Sequence, residues 1–293
     1  GSWVWNGIAP NYSKTFECTI SALQTCKAFK LDEVLCTAWL DNGAETPIDA
    51  ALPGVTLFGY LGFHKNYDSK EFKEEFQNCT GGYLDDFMVL DRFDSLFQKE
   101  ESNQAAENPS KYLLYQDPLT GIFDYHVKES AVETKVYYDR LRLNVMESEK
   151  HSKKYLELFS YYEKLAEVLS IKADLGVRIK TSYEASDLYT LKTICEKEIP
   201  DTIENLKVMK TLREKLWMSD AKPWGYELMD VKLGGVITRL ESTKRRVLNY
   251  LDGKIPCLEE LEEKRLPYFV DKADKRENRW SQIISGSDLV DTI

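Results

Sequence analysis

From Val34 the chain reads Val-Leu-Cys-Thr-Ala-Trp-Leu-Asp-Asn-Gly-Ala-Glu-Thr, ending at Thr46. Trp39 closes a short apolar, β-prone run. Asp41 follows two residues later, and Glu45 lies beyond a glycine turn. An indole face can pack on the apolar C–H face of a pyranose, and a carboxylate held beside it can accept hydrogen bonds from the ring hydroxyls. Trp3 and Trp5 sit two apart on an earlier β-prone segment, so a pleat points both the same way. If the two segments run parallel and side by side, their C-terminal ends bring several aromatics and one or two carboxylates to one mouth. Trp39, Asp41, Trp5 and Glu45 are therefore the candidate substrate-binding residues. The plainer alternative is a tryptophan packed at a strand end and a surface aspartate in a turn.

The elements that must position these residues read as strand–helix–strand–helix. Ser2-Trp3-Val4-Trp5 is the first strand. A helix from about Phe16 to Lys30 follows, with Phe16, Ile20 and Leu23 on one face. Val34 to Trp39 is the second strand. Thr46-Pro47-Ile48-Asp49 has the cap, proline and acidic first turn of a helix start, and Pro53-Gly54 should break or kink that helix. A βαβα order implies parallel strands with right-handed crossovers. Two such strands have open edges and little cover, so the opening is expected to be cut from something larger.

Beyond about Tyr67 the pattern is helical. A short helix is expected over Ser69–Asn78, closed by Thr80-Gly81-Gly82, and another over Tyr83–Phe97. Long amphipathic stretches follow. Leu158, Tyr162, Leu165 and Leu169 mark the first. Leu188 to Leu216 carries the second, kinked at Pro200, and Leu228 to Leu251 the third, ended by Asp252-Gly253. These stripes read as bundle cores. Gly234-Gly235 inside the third predicts a close helix–helix approach.

Composition narrows the function classes. Charged residues make up 30% of the 293 residues and the net charge is −10, which argues against nucleic acid and against an anionic membrane surface. Lys244-Arg245-Arg246 is read as a solvated helix face. No apolar stretch approaches the ~20 residues of a membrane span, and no signal peptide is visible. The six cysteines form no Cys-x-x-Cys pair and share no zinc spacing with the three histidines. Free thiols predict a reducing, cytoplasmic setting. The Lys222–Gly235 stretch lacks the spacing of a phosphate loop. Asp85, Asp86, Asp91 and Asp94 read as solvated or capping carboxylates rather than a catalytic pair. No catalytic residue, metal site or cofactor is assigned.

Residues 1–7 (Gly-Ser-Trp-Val-Trp-Asn-Gly) and 37–45 (Thr-Ala-Trp-Leu-Asp-Asn-Gly-Ala-Glu) resemble the seventh and eighth barrel strands of glycoside hydrolase family 20. The likeness is to the bacterial exo-β-N-acetylhexosaminidase branch with a large helical C-terminal domain. Tyr112-Leu113-Leu114-Tyr115-Gln116-Asp117-Pro118, Lys222-Pro223-Trp224-Gly225-Tyr226 and Leu233-Gly234-Gly235 are similar to segments of that domain. The resemblance implies a mainly α fold: residues 1–65 as the βαβα remnant of a (β/α)8 barrel and residues 66–293 as an all-α helical-bundle domain. It implies an enzyme that releases terminal β-linked GlcNAc or GalNAc with retention, using the substrate's 2-acetamido group as nucleophile, an Asp to orient it and a Glu as acid/base. Trp39 would wall the sugar, Asp41 would bind its O4 and O6 hydroxyls, and Trp5 would line the same pocket. The expected partners are a β-N-acetylhexosaminide and the missing N-terminal half of the barrel, with a homodimer as a further arrangement, and neither nucleic acid nor membrane. One departure matters. The family's Asp-Glu pair follows the fourth strand, whereas Asp32-Glu33 here precedes the second strand, so the chain alone is expected to be inactive. The competing readings are a helical interaction or scaffold module and a non-catalytic carbohydrate-binding module.

Overall fold

The computed structural model describes residues 2–39, 44–97, 103–130 and 132–268. Helices dominate, in the order α1 (Tyr12–Ala28), α2 (Leu52–Phe63), α3 (Ser69–Thr80), α4 (Leu84–Met88), α5 (Pro109–Tyr115), α6 (Asp124–Ser130), α7 (Thr134–His151), α8 (Leu156–Lys172), α9 (Leu175–Glu184), α10 (Leu188–Thr193), α11 (Ile199–Asp220), α12 (Tyr226–Leu251) and α13 (Glu259–Glu262). The mainly α class is as expected. Two compact units divide the chain. The first takes in Gly1–Ser110 and Arg140–Glu163; the second takes in Lys111–Asp139 and Lys164–Arg276.

The two expected strands do not form a ladder. Among the described residues the β pairing is a single parallel bridge between Ser2 and Ala38, with Ser2 N donating to Thr37 O at 2.8 Å. The parallel adjacency is present at that point, but neighbouring polar groups are engaged elsewhere. Trp3 N donates to Thr15 Oγ1 at 2.8 Å, and Trp3 O accepts from Asn11 N at 2.8 Å. The start of α1 thus takes bonds that a longer ladder would need.

In the first unit α1 packs on α2, and α2 on α3. Helix α1 starts earlier than expected because Asn11 caps it, its Oδ1 accepting from Lys14 N at 2.9 Å. Its buried face is Tyr12, Thr15, Thr19 and Leu23. Phe72 packs tilted on Phe76 at 6.3 Å, and Phe76 edge-to-face on Phe87 at 5.3 Å. Phe87 packs in turn on Tyr155 and Phe159 at 5.0 and 5.5 Å.

The turn after Glu45 differs from the expected helix start. Thr46 does not cap; its Oγ1 donates to Gly7 O at 2.9 Å. A 3-10 turn, Ile48–Ala51, comes first, and α2 begins at Leu52 with Pro53 in its first turn. Gly54 lets α2 close on the N-terminal segment: a Cβ there would lie 2.9 Å from both Ser2 Cβ and Thr15 Cγ2. The expected helix over Tyr83–Phe97 is split into α4 and a 3-10 helix, Val89–Asp94. Three residues per turn bring Asp91 and Asp94 to the same side, and each serves a distant backbone. Asp91 Oδ1 accepts from Tyr12 N at 2.6 Å and Ser13 N at 3.1 Å, and its Oδ2 accepts from Ser13 Oγ. Asp94 Oδ1 accepts from Ser110 N at 2.8 Å, and Asp86 Oδ2 from Ser152 Oγ at 2.7 Å. The capping role holds for Asp91 and Asp94, but these two and Asp86 are buried rather than solvated. Asp85 is exposed, paired with Lys73.

In the second unit α11 packs on α12. Pro200 falls where one helix gives way to the next. It sits in the first turn of α11, and a π segment, Ile194–Glu198, precedes it and absorbs the missing N–H. Leu188 is exposed; the buried stripe begins at Leu191. The expected close approach at Gly234 is absent: a Cβ there would meet nothing within 4 Å. The buried face of α12 runs instead through Met229, Leu233, Val236, Leu240 and Val247.

Asp91→Ala leaves the buried amide of Tyr12 and the half-buried amide of Ser13 without an acceptor. The expected loss is about 2–4 kcal/mol by urea denaturation, and Asp91→Asn, which keeps one acceptor oxygen, should lose less.

Candidate functional site

Trp3 and Trp5 pack against each other with ring centroids 5.1 Å apart and planes at 34°. The same-side disposition read from their spacing is therefore present, without a regular strand to impose it. Both are half-buried. Lys14 Nζ lies 5.6 Å from the Trp3 ring centre, a cation–π distance, and donates to Gln104 O at 2.9 Å. Trp39 is 56% exposed, just past the Ala38 bridge. Glu45 is buried, so protein encloses it. Asp41, with Leu40, Asn42 and Gly43, lies outside the described residues.

The backbone under the two indoles is held by buried polar groups. Asn6 Nδ2 donates to Ala106 O and Asn108 Nδ2 to Asn6 O, each at 2.6 Å. Tyr162 Oη donates to Ile8 O at 3.0 Å. A buried side-chain bond to a backbone carbonyl removes rotational freedom at both ends, so this platform is set before any ligand arrives. The local sequence contains none of these partners; each comes from about a hundred residues or more away, beyond the reach of spacing arguments.

A second polar cluster, in the second unit, escaped the sequence reading altogether. Lys172 Nζ is buried and donates to Leu113 O at 3.1 Å and Gln116 O at 2.8 Å. Burial pushes its amine down to about 8, against the pull of Asp117 and Asp124. Asp117 Oδ1 accepts from Leu119 N at 2.9 Å and Thr120 N at 3.1 Å, while its Oδ2 accepts from Arg239 Nε. Burial pushes Asp124 up to about 6, with the Arg265 guanidinium, 3.4 Å away, opposing it. Gly176 makes room for that carboxylate: a Cβ there would lie 2.6 Å from Asp124 Oδ2.

Beside this cluster is a cavity of about 390 Å³, walled by Asp124, Tyr125, Lys180, Glu184, Glu262 and Arg265 among others. Lys180 and Arg265, two of the four cations that line it with Lys128 and Lys264, are engaged with the chain itself. Arg265 also donates to Glu260 O at 3.1 Å and to Leu119 O, and Lys180 donates to Leu261 O and pairs with Glu184 at 3.0 Å. The arrangement is a joint that ties residues 258–268 to α6 and α9, not a set of groups poised on a substrate.

No group of three or more His, Cys, Asp or Glu among the described residues is placed to hold a metal, and no helix there is long and apolar enough to cross a membrane. The six cysteines are free thiols. Burial pushes Cys195 up to about 12, the opposite of what an activated thiolate needs.

Residues 85–280 match the family model of the Glycoside Hydrolase 20C C-terminal domain. The chain belongs to that family. No curated protein matches it. In this glycoside hydrolase 20C C-terminal domain the matched segment starts at α4, so the paired indoles, α1, α2 and α3 precede it. The Lys172–Asp117–Asp124–Arg265 joint lies inside it, as do Tyr112–Pro118 and Lys222–Gly235.

The raised carboxyl of Asp124 fixes the sign of a pH effect. Its folded state holds a proton more tightly than the unfolded chain, whose carboxyl titrates near ~3.9. The stabilisation is complete below that value and is lost as pH rises through about 6. Urea midpoints measured across that window should fall more steeply with rising pH for wild type than for Asp124→Asn; equal slopes would assign the effect to another group, such as Asp91.

Proposed function

We propose that this chain is the C-terminal part of an exo-β-N-acetylhexosaminidase. Residues 1–65 would be the last two β/α units of its barrel, and the chain beyond them its helical domain. The single observation that carries the reading is membership of the glycoside hydrolase 20C C-terminal domain family over residues 85–280.

Two features of the first unit support the barrel assignment. The parallel bridge at Ser2 and Ala38 sets the two segments side by side in the orientation barrel strands need. Helix α2 carries no charged residue in Leu-Pro-Gly-Val-Thr-Leu-Phe-Gly-Tyr-Leu-Gly-Phe, yet Val55 is exposed and Phe63 is 92% exposed, as are Leu31 and Leu35 before it. A helix apolar all round belongs in an interior, and an apolar surface of this kind marks an interface. The upstream half of the barrel is the partner that would cover it.

In that enzyme the substrate's 2-acetamido oxygen attacks the anomeric carbon. An Asp orients the amide, and a Glu protonates the leaving oxygen and then activates water. Both acids would come from the upstream half. This chain's part is to bind and orient: the Trp39 indole against the C–H face of a terminal GlcNAc or GalNAc, Asp41 accepting from its O4 and O6 hydroxyls, and Trp5 on the adjoining wall, with Glu45 behind the turn.

A chromogenic β-GlcNAc substrate tests this. The chain alone should give no turnover, and the chain rejoined to its upstream half should. In the rejoined protein Asp41→Ala should lower kcat/KM by about 10- to 100-fold, the worth of charge-assisted hydrogen bonds. Turnover by the isolated chain at the rate of the rejoined protein would sink the proposal. Saturable GlcNAc binding without the upstream half would favour a carbohydrate-binding module instead.

A further inference from the structure

The joint in the second unit uses only part of the cavity beside it. Arg265 is paired with Asp124 at 3.4 Å and Lys180 with Glu184 at 3.0 Å, and the Glu262 carboxylate accepts from Tyr183 Oη. Three charged groups on the wall are left over: Lys128 and Glu129 near the end of α6, and Lys264 on the segment after α13. None of these three side chains has a hydrogen-bond or ion-pair partner among the described residues. The dipole of α6 favours a cation in its last turn and so accounts for Lys128, but Glu129 in the same turn works against it.

The rest of the wall is firm and partly apolar. Tyr125 packs edge-on against His126 with centroids 5.5 Å apart, and Val177 faces the cavity from α9. Arg265 is fixed by the carbonyl of Glu260 at 3.1 Å, and Gly121 leaves room for it, since a Cβ there would lie 2.8 Å from Arg265 Nε. Every lining residue belongs to the second unit. A volume of about 390 Å³ is near the lower end of the range for small-molecule sites, where a few polar groups on a partly apolar wall fix the ligand.

Charge selects the ligand. The paired groups cancel, and two ammonium groups and one carboxylate remain unspent on a single wall. A plain anion would leave Glu129 opposing it, and a plain cation would meet two lysines. A molecule that brings both signs satisfies all three. An α-amino acid carries a carboxylate and an ammonium on one carbon, with a side chain that can lie against Tyr125 and Val177.

We propose that this cavity binds a free α-amino acid, its carboxylate on Lys128 and Lys264 and its ammonium on Glu129. The joint supplies a rigid wall and no chemistry. The site is independent of the sugar pocket proposed for the first unit.

Isothermal titration calorimetry of the full chain is the test, with L-leucine and L-glutamate as probes. N-acetyl-L-leucine lacks the ammonium and L-leucinamide lacks the carboxylate. Leucine should bind saturably, and each blocked form should bind about tenfold more weakly. Lys128→Gln, Lys264→Gln and Glu129→Gln should each weaken leucine by about fivefold, as expected of partly exposed pairs, with the urea midpoint unchanged. Lys207→Gln on α11 should bind as wild type does. Glutamate tighter than leucine would place its second carboxylate on one of the two lysines, in keeping with the proposal. No saturable binding of either amino acid overturns it. So do blocked forms that bind as tightly as leucine, and so does full affinity in the Lys128→Gln/Lys264→Gln double variant.

Discussion

Helix α1 begins on a carboxylate supplied from 79 residues away. The first amides of a helix have no partner within it, and here that of Tyr12 is buried and that of Ser13 half-buried. Asp91 answers both at once. The requirement runs outward from there. Asp91 can reach α1 only because Val89–Asp94 is wound as a 3-10 helix, and the same winding carries Asp94 to the amide of Ser110. Through these bonds the N-terminal segment, α1 and the start of α5 are fastened to one short stretch of chain. Burial pushes the Asp91 carboxyl up while the Ser13 and Tyr12 bonds pull it down, which is the balance expected of a charge kept inside by its donors.

The indole pair inherits its order from that frame. Trp3 gives its backbone N–H to Thr15 on α1 and its carbonyl to Asn11, so the position of the ring is decided by the helix that Asp91 caps. Asn6, Ile8 and Gly7 are each bonded through a side chain from elsewhere in the first unit. An aromatic pair held this way keeps its position without help from a ligand. The apolar flank of α2 stays exposed beside this frame, at Val55 and Phe63.

The second unit uses charge differently. Lys172, Asp117, Asp124 and Arg265 spend their hydrogen bonds on backbone groups, on one another, on Gln116 and on the half-exposed Arg239. Buried and satisfied, such groups specify how a loop is held rather than what it reacts with. Perturbed titration at Asp124 and Lys172 follows from burial in a joint, and it does not by itself mark an active centre.

Much of the helical architecture could be read from residue order. The 3.6-residue stripes of Leu158–Leu169 and Leu233–Val247, and the Asp252-Gly253 stop, are local consequences of which side chains water rejects and which backbones turn easily. The pairing of Trp3 with Trp5 matches what spacing alone suggests, although the segment is bent and α1 holds it. The early start of α1 is local, since Asn11 caps it, but the other differences are not. Whether Thr46 caps a helix or bonds Gly7, whether Tyr83–Phe97 is one helix or two, and whether a strand forms at Ser2–Trp5 each depended on partners tens of residues away competing for the same donors and acceptors. Gly234 shows the same limit from the other side: its sequence context allows a close neighbour, but only packing determines which face of α12 finds one. Hydrophobic period is written along the chain; hydrogen-bond partnership is settled by folding, because it belongs to pairs of groups that only the fold brings within 3 Å.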